Sequence, residues 1–485
     1  MEHNVIVRAI IIFVETHIEA EKDYAALERD IGFSLSHIRS LFAAQTGRTL
    51  ARYVQERKVA HAAFDLVHSR DNILHIAFKY GFRSPDTFTR AFFRHMGVTP
   101  QQFRKERTAV GAARLYDGIY GIAGRSNIMN ESMHKTENST VLYGVPRVGY
   151  GAYGGVTPYP ICVKGVANYL GDDIDYSDIM VVSGAAFRLT WDRNSWFGGN
   201  VDICFTFDNY DASYRLAIEG LGRSFTHTPR KNDTPEHKQE FIQLIRENID
   251  AGIPCIAMGI IGPPEACVIT GYRDGGNTLL GWNFFQDRPE YAGKGVRIDE
   301  SGYFVTDAWW ENGFEQIITL GRTVTEPRTP KQIIGSAIEV LTGRNKHQFA
   351  KGIWAYDAWK NAIIDDTQFP PNSVKPLLVE RMVCQGDAMG CLADGRHSAK
   401  AYFEKLGAKL PEHRALCRDI AAQFGIVFAE VSAMSECLGG WGRDETQLAN
   451  LNKPDIRRQI GKHIDNCQAA DEAALALLQK LYDAL

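Results

Sequence analysis

From Val5 onward, apolar side chains in the first hundred residues recur at three- and four-residue spacing, broken by short polar or glycine-bearing turns. That is the pattern of consecutive amphipathic helices. VIVRAIIIFVETH (5–17) predicts a core-facing helix. Asp23 is a candidate N-cap for a second helix, YAALERD, which ends near Ile31-Gly32, where glycine supplies the positive φ of a helix terminus. Ser34 or Ser36 opens a third, HIRSLFAAQT, stopped by Gly47, and a long amphipathic helix spans Leu50 to Val67. Then come ILHIAFKY after Asn72, the turn Gly81-Phe82, PDTFTRAFFRHM after Ser84, and VTPQQFR after Gly97. Beyond residue 140 the pattern changes. IPCIAMGIIG, ACVITGYRDGG and TLLGWNFFQ read as strands separated by turns, preceded by a helix beginning at Cys162 after Pro160. From Pro330 the helical stripe returns in QIIGSAIEVL, FAKGIWAYDAWKNAI, a run from Val374 to Leu406, and EHRALCRDIAAQFGIVFAEVSAMSECL.

The divisions that follow are 1–108, a linker at 109–140 ending in the polar NIMNESMHKTENST, a middle region at 141–327, and a helical region at 328–485. Within the first, IGFSLSHIRSLFAAQTG and YGFRSPDTFTRAFFRHMG share one register. Each has Gly-Phe, a few polar residues, and then a helix with an inward-facing Phe. Two short helices joined by a tight turn form a helix-turn-helix, and here the unit occurs twice, about 50 residues apart, joined by one helix.

Charge sharpens this picture. The 485 residues carry a net charge of -4, yet residues 31–107 hold 13 Lys and Arg against 5 Asp and Glu. The local excess of +8 leaves -12 for everything else, a basic module attached to an acidic body.

Residues 20–107 resemble the DNA-binding domain of AraC-type transcription regulators, most closely over IAFKYGFRSPDTFTRAFFRHMGVTPQQFR. The resemblance implies two recognition helices entering successive major-groove segments of double-stranded promoter DNA. It places Ser36, Arg39 and Ser40 on the base-reading face of the first unit, and Pro85, Asp86, Thr89 and Arg90 on that of the second. Arg39 suits the bidentate edge of guanine, and Asp86 accepts from cytosine or adenine amino groups. Arg48, Arg52, Lys79, Arg83, Arg94 and Arg104 read as phosphate anchors, which position without specifying. RNA polymerase is an expected further partner, and a homodimer is compatible with the helical C-terminal region.

In the middle region, Cys162 at a helix N-terminus has the setting that lowers a thiol pKa. A leading helix followed by a β-half resembles papain-like cysteine peptidases and transferases, in particular the butirosin biosynthesis acyltransferase and its relatives. The resemblance puts Cys162 at the nucleophile position and Asn283 at the orienting position. The base should be a His shortly before Thr270-Gly271-Tyr272, where this chain has Glu265, Ala266 and Cys267. Without imidazole the thiol lacks a general base near neutral pH. His227, in SFTHTPRKND, reads as a solvent-facing loop residue. The expected fold class is multidomain: an all-α double helix-turn-helix domain, an α+β papain-like middle domain that keeps the scaffold without the chemistry, and an α-helical C-terminal region packed on it.

Aromatic residues are dense in this region: Trp191, Trp196, Trp282, Phe284, Phe285, Trp309 and Trp310, with Asp192, Glu265 and Asp287 near them in sequence. Aromatic faces with carboxylates suit an amphiphilic or cationic small molecule. The expected ligand-binding residues are Cys162, Trp191, Trp196, Glu265, Trp282, Asn283 and Phe284.

Other classes are disfavoured. Nine cysteines with no C-x-x-C pair argue against a disulfide framework or a zinc ribbon. Cys384, Cys391, Cys417, Cys437 and Cys467 read as small core residues, His397 and His413 lack ligand-spaced partners, and no metal or cofactor is expected. Gly149-Tyr-Gly151-Ala-Tyr-Gly154 is a literal G-x-G-x-x-G, but Pro158 and Pro160 follow it, so it is not read as a dinucleotide loop. No apolar run reaches the ~18 residues of a membrane helix, and no secretory signal is visible, so a soluble, cytoplasmic protein is expected. The reading is a ligand-responsive DNA-binding transcription regulator that is not an enzyme. The alternative is a DNA-tethered cysteine acyltransferase or amidase using Cys162.

Overall fold

The computed structural model describes residues 10, 13–14, 17–18, 24–46, 49–68, 71–82, 84–96, 99–106, 133–150, 155–286, 295–299, 301–345, 348–370 and 373–485. The chain divides into two compact units: residues 1–134 with 297–305, and residues 135–296 with 306–485. Most of the helix expected at 5–17, its neighbour Asp23, and residues 109–132 of the linker lie outside the described residues; Phe13 and Val14 are helical.

In the first unit the described residues from Tyr24 onward form the helices α1 (Tyr24–Ile31), α2 (Leu35–Thr46), α3 (Leu50–His68), α4 (Ile73–Lys79), α5 (Pro85–Met96) and α6 (Pro100–Glu106), in that order. The duplication extends to the capping chemistry. Ser34 Oγ accepts the His37 N–H at 3.4 Å and Ser84 Oγ the Thr87 N–H at 3.2 Å; the N-cap is therefore Ser34, not Ser36. Thr49 and Thr99 accept from Arg52 and Gln102 in the same way, at 3.3 and 3.2 Å. Each such cap satisfies an N–H left free in the first turn. Gly32 and Gly81 take φ of 75° and 69°, so each half turns into its second helix through a left-handed glycine. Phe82, Phe88, Phe92 and Phe103 form a ring-to-ring chain at centroid distances of 5.1, 5.5 and 5.4 Å. Helix α3 packs against α2, α4, α5 and α6. Its buried Leu50, Tyr53, Val54, Val59, Ala62, Ala63 and Leu66 join both halves into one core.

The second unit begins where the linker was expected to continue. Lys135 pairs with Asp250 at 2.9 Å, and residues 136–139 turn into strand β1 (Thr140–Leu142). The polar end of that segment is thus structured, because Thr140 is buried and donates to Asp250 at 2.6 Å. Helix α7 (Pro158–Tyr169) starts one turn before Cys162. Pro158 and Pro160 sit in its first turn, where no N–H is needed. Helix α8 (Tyr176–Val182), strand β2 (Thr190–Asp192) and helix α9 (Ala212–Glu219) lead to β3 (Arg223–Pro229), and α10 (Pro235–Asp250) leads to β4 (Cys255–Met258), β5 (Ala266–Arg273), β6 (Thr278–Trp282) and β7 (Gln316–Thr323). The strands run antiparallel in the order β3-β7-β4-β5-β6, with β1 pairing the far end of β5. At that junction a Cβ on Gly271 would meet Thr140 O at 2.8 Å, so only glycine lets β1 approach. Helix α7 lies across β4, β5 and β7. His227 belongs to strand β3 rather than a loop, and its ring bonds Gln316 Oε1 at 2.7 Å, a partner 89 residues away.

Helices α11 (Pro330–Thr342), α12 (Ile353–Ile364), α13 (Lys375–Lys409), α14 (Arg414–Leu438), α15 (Glu445–Leu451) and α16 (Pro454–Ala484) complete the unit. Phe349–Lys351, expected as the start of a helix, is instead strand β8, paired with β2. Leu189 and Trp191 share one core with Trp359, Met389, Val431 and Ile464, so the middle and C-terminal regions are one body. Its centre is an ion pair with no exposure on either side: Arg396 to Asp471 at 2.6 Å.

Candidate nucleic-acid interface and ligand cavity

On α2, Ile38, Leu41 and Phe42 are buried while Ser36, Arg39 and Ser40 are exposed. On α5, Phe88, Ala91 and Phe92 are buried; Asp86, Arg90 and Arg94 are exposed, and Pro85 and Thr89 are half-buried. The two helices therefore present matching polar faces, each held from behind by its Phe. The Arg39 guanidinium lies 5.2 Å from the centre of the Tyr24 ring, and Arg90 Nε donates to Asp86 O at 3.3 Å. Both contacts leave most of the guanidinium donors available for base edges. Arg48 and Arg83 lie outside the described residues.

Two expected phosphate anchors have internal employment. Arg104 donates to Leu66 O at 3.0 Å and Asp71 O at 2.6 Å, closing the C-terminal end of α3. Lys79 bonds Asp65 at 2.9 Å, beside a second bond from the Tyr80 hydroxyl at 2.8 Å. Arg52 pairs with Glu56 at 2.8 Å but remains exposed. Arg94 keeps the open position an anchor requires.

In the second unit, Cys162 has no exposure and lies a full turn inside α7. Burial pushes its thiol well above the ordinary range, and the nearby Cys267 and Glu265 push it further. The helix-terminus activation expected from sequence is overruled by desolvation. Cys267 was not singled out from sequence as a site residue, yet it lies near Cys162 and raises its pKa. Burial dominates there too, holding Cys267 at about 12. In native protein, iodoacetamide should modify Cys162 at least about ten-fold more slowly than the half-exposed Cys437, measured by peptide mass spectrometry. Rapid labelling of Cys162 would instead favour the acyltransferase alternative.

A cavity of about 1130 Å³ opens beside this buried cluster. Its walls come from segments between Tyr150 and Arg443, including Arg188, Asp202, Tyr210, Tyr214, Glu265 and Glu315. Of the expected ligand residues, only Glu265 lines it. Trp191 and Trp196 are core instead: Trp191 stacks on Trp359 at 6.0 Å, and Trp196 meets Phe369 edge-on at 5.7 Å. Trp282 is buried with its N–H on Val145 O at 2.9 Å, and Phe284 packs on Tyr150 at 4.8 Å. Asn283 is buried and accepts the Phe285 N–H at 2.8 Å. Asp202, Tyr214, Glu315, Asp387, Trp441 and Arg443 had no local signal, being scattered over some hundreds of residues.

Burial raises Glu265 from 4.5 to about 7, and Asp202 and Asp387 push it further while Arg188 opposes them. Asp202 rises to about 6, again chiefly by burial. A carboxyl whose native pKa exceeds its unfolded value binds protons more tightly when folded. Stability is therefore lost as pH rises from about 4.5 through 7. Glu265→Gln removes that loss. Its melting temperature should match the parent near pH 4.5 and exceed it by roughly 2 °C near pH 8, measured by differential scanning fluorimetry.

Comparison with known proteins bears on the first unit. A helix-turn-helix domain model matches residues 27–106. The multiple antibiotic resistance protein MarA of Escherichia coli is 31% identical over 98 residues, which are 20% of this chain and 77% of MarA. The probable transcription factor PqrA of Proteus vulgaris is 34% identical over 105 residues, 21% of this chain and 86% of PqrA. An uncharacterized HTH-type transcriptional regulator of Staphylococcus aureus is 30% identical over 98 residues, 20% of this chain and 13% of that protein.

Proposed function

Since the chain belongs, through residues 27–106, to the AraC/MarA-type helix-turn-helix transcription regulators, we propose that its second unit senses a small molecule and thereby sets the affinity of the first for promoter DNA. DNA binding and transcription regulation come with the membership. The sensing role is carried by one observation: the second unit holds a cavity of about 1130 Å³ with carboxylates and aromatic rings in its wall. A concave site with a few polar groups on an apolar wall is the usual form of a ligand pocket. The effector is amphiphilic or cationic, and it acts only through a difference in affinity for DNA-competent and DNA-incompetent states of the chain.

A papain-like origin for the middle region is supported by the helix carrying Cys162 across an antiparallel sheet, with Cys267 and Asn283 beside it. No histidine stands shortly before Thr270, where the resemblance calls for one (Glu265, Ala266 and Cys267 are there), and the Cys162 thiol is held protonated by burial. The scaffold is read as a binding body without cysteine catalysis.

Gly390 on α13 offers a direct test, because it lines the cavity and a Cβ there meets nothing within 4 Å. Gly390→Phe puts a ring into the site without displacing backbone. In full-length protein, fluorescence anisotropy on a promoter duplex should show salt-dependent binding in both forms. Small molecules that shift the parent's affinity should leave Gly390→Phe unmoved. A response of equal size in the filled variant would place sensing elsewhere and end this reading.

A further inference from the structure

We infer that the cavity of the second unit takes an organic cation bearing at least two positive charges on a partly apolar frame. The inference rests on the ligand-sensing reading and specifies its ligand.

The charged groups in the cavity wall divide by what they already hold. Asp387 is paired with Arg443 at 2.5 Å. Asp394 accepts from the Tyr176 hydroxyl at 2.5 Å and from Thr157 at 2.8 Å. Arg188 spends its guanidinium on Val201 O and Ala185 O, both at 2.8 Å, and on Thr157 Oγ1 at 3.3 Å. Arg188 thus has all three nitrogens engaged, and the half-exposed Arg443 already holds a carboxylate through one of its nitrogens, so an anionic ligand would have to compete with Asp387 for it.

Asp202, Glu265 and Glu315 are different: among the described residues none has a hydrogen-bond or ion-pair partner for its carboxyl. Tyr214 is an independent sign of a missing occupant. The residue is only 4% exposed and lines the cavity, and its hydroxyl has no partner among the described residues. A hydroxyl that opens onto the cavity can donate to or accept from a molecule bound there. A ligand nitrogen or oxygen beside the acids would meet it.

Valence and frame follow from the same wall. One positive charge offsets one carboxylate and leaves the others repelling each other across the same opening. Two or more charges relieve that repulsion. No group of three or more His, Cys, Asp or Glu among the described residues is arranged to hold a metal ion. The acids instead stand around a space with room for an extended molecule. Tyr150, Phe285, Phe428 and Trp441 supply ring faces for its apolar part and for cation–π contact with its ends.

The test uses full-length protein and three ten-carbon probes in isothermal titration calorimetry: the bis-quaternary ion decamethonium, decyltrimethylammonium, and decane-1,10-disulfonate. Decamethonium should bind at least about ten-fold tighter than the monocation, a difference of about 1.4 kcal/mol. The disulfonate should not bind. Decamethonium carries no titratable proton, so protons released near pH 6.5, read from buffers of different ionisation heat, come from the protein; His397 also lines the cavity, and the carboxyl substitutions assign the source. Glu265→Gln and Asp202→Asn should each weaken decamethonium about ten-fold and reduce the proton release. Equal affinity for monocation and dication, binding of the disulfonate, or indifference to both substitutions would overturn the cation site. Anisotropy on promoter duplex separates this from the parent reading. Decamethonium binding that leaves DNA affinity unchanged defeats sensing and keeps the cation site. Effector-dependent DNA binding without decamethonium binding does the reverse.

Discussion

Asp471→Ala should remove about 3–5 kcal/mol of stability from the second unit, the usual cost of leaving one partner of a buried ion pair alone. Arg396 is fully buried and gives Asp471 three contacts at 2.6 to 3.1 Å. Its remaining donors reach Ala186 O at 2.7 Å and Arg188 O at 3.3 Å, and the Tyr356 hydroxyl donates to Asp471 at 2.6 Å. Truncating the carboxylate strands a cation and a hydroxyl in the core. Against a typical total of roughly 5–15 kcal/mol, that is a severe loss. Chemical denaturation followed by tryptophan fluorescence measures it. Replacing both partners with apolar residues, Arg396→Met with Asp471→Leu, should recover most of the stability, because it removes the stranded charge. A double variant no better than Asp471→Ala would mean the pair is required for the packing itself.

On the DNA side, Arg39→Ala and Arg90→Ala should each weaken binding to a promoter duplex by about 1–3 kcal/mol and relax base preference at the positions they face. Arg94→Ala should act differently, weakening all sequences alike and lowering the salt slope by about one. Arg104→Ala gives a third outcome. Because that side chain closes α3 on Leu66 O and Asp71 O, its loss should lower the melting temperature of the first unit with little change in salt slope. Anisotropy titrations across a range of salt, with thermal melts of the same proteins, separate the three behaviours. Full binding by both Arg39→Ala and Arg90→Ala would remove α2 and α5 from the role of base readers.

The contrast between Arg94 and Arg104 shows what a sequence can and cannot disclose. Both are arginines on short helices of a basic module, and nothing local distinguishes them. Arg104 is committed by carbonyls 33 and 38 residues away. The duplicated halves were legible because their signals are local: the Gly-Phe turns and the Ser and Thr caps repeat at one spacing. The strands β4, β5 and β6 were legible for the same reason, as apolar runs bounded by glycine. Phe349–Lys351 was not, since three residues carry no period and their state is decided by pairing with Thr190–Asp192. The aromatic residues misled in the same way. Trp191 and Trp196 cluster in sequence, but Trp359 and Phe369 claim them for the core. Cys162 was placed on the right helix, and only burial revealed that its environment opposes a thiolate. The cavity was illegible except for Glu265, because its wall is assembled from many separated segments.

Helix α3, packed into both halves of the first unit, also acts as a ruler. With α2 and α5 fixed to a single core, the angular phase between their two contact blocks on a duplex is set by the protein. Each base pair added between those blocks rotates one against the other by about 35°, since a helical turn of DNA takes ~10–10.5 base pairs. Among the described residues a single core joins the two helices, and it would resist that rotation. An operator lengthened by one base pair is then no longer a weaker site of the same kind. It should behave as two half-sites, of which the protein grips one.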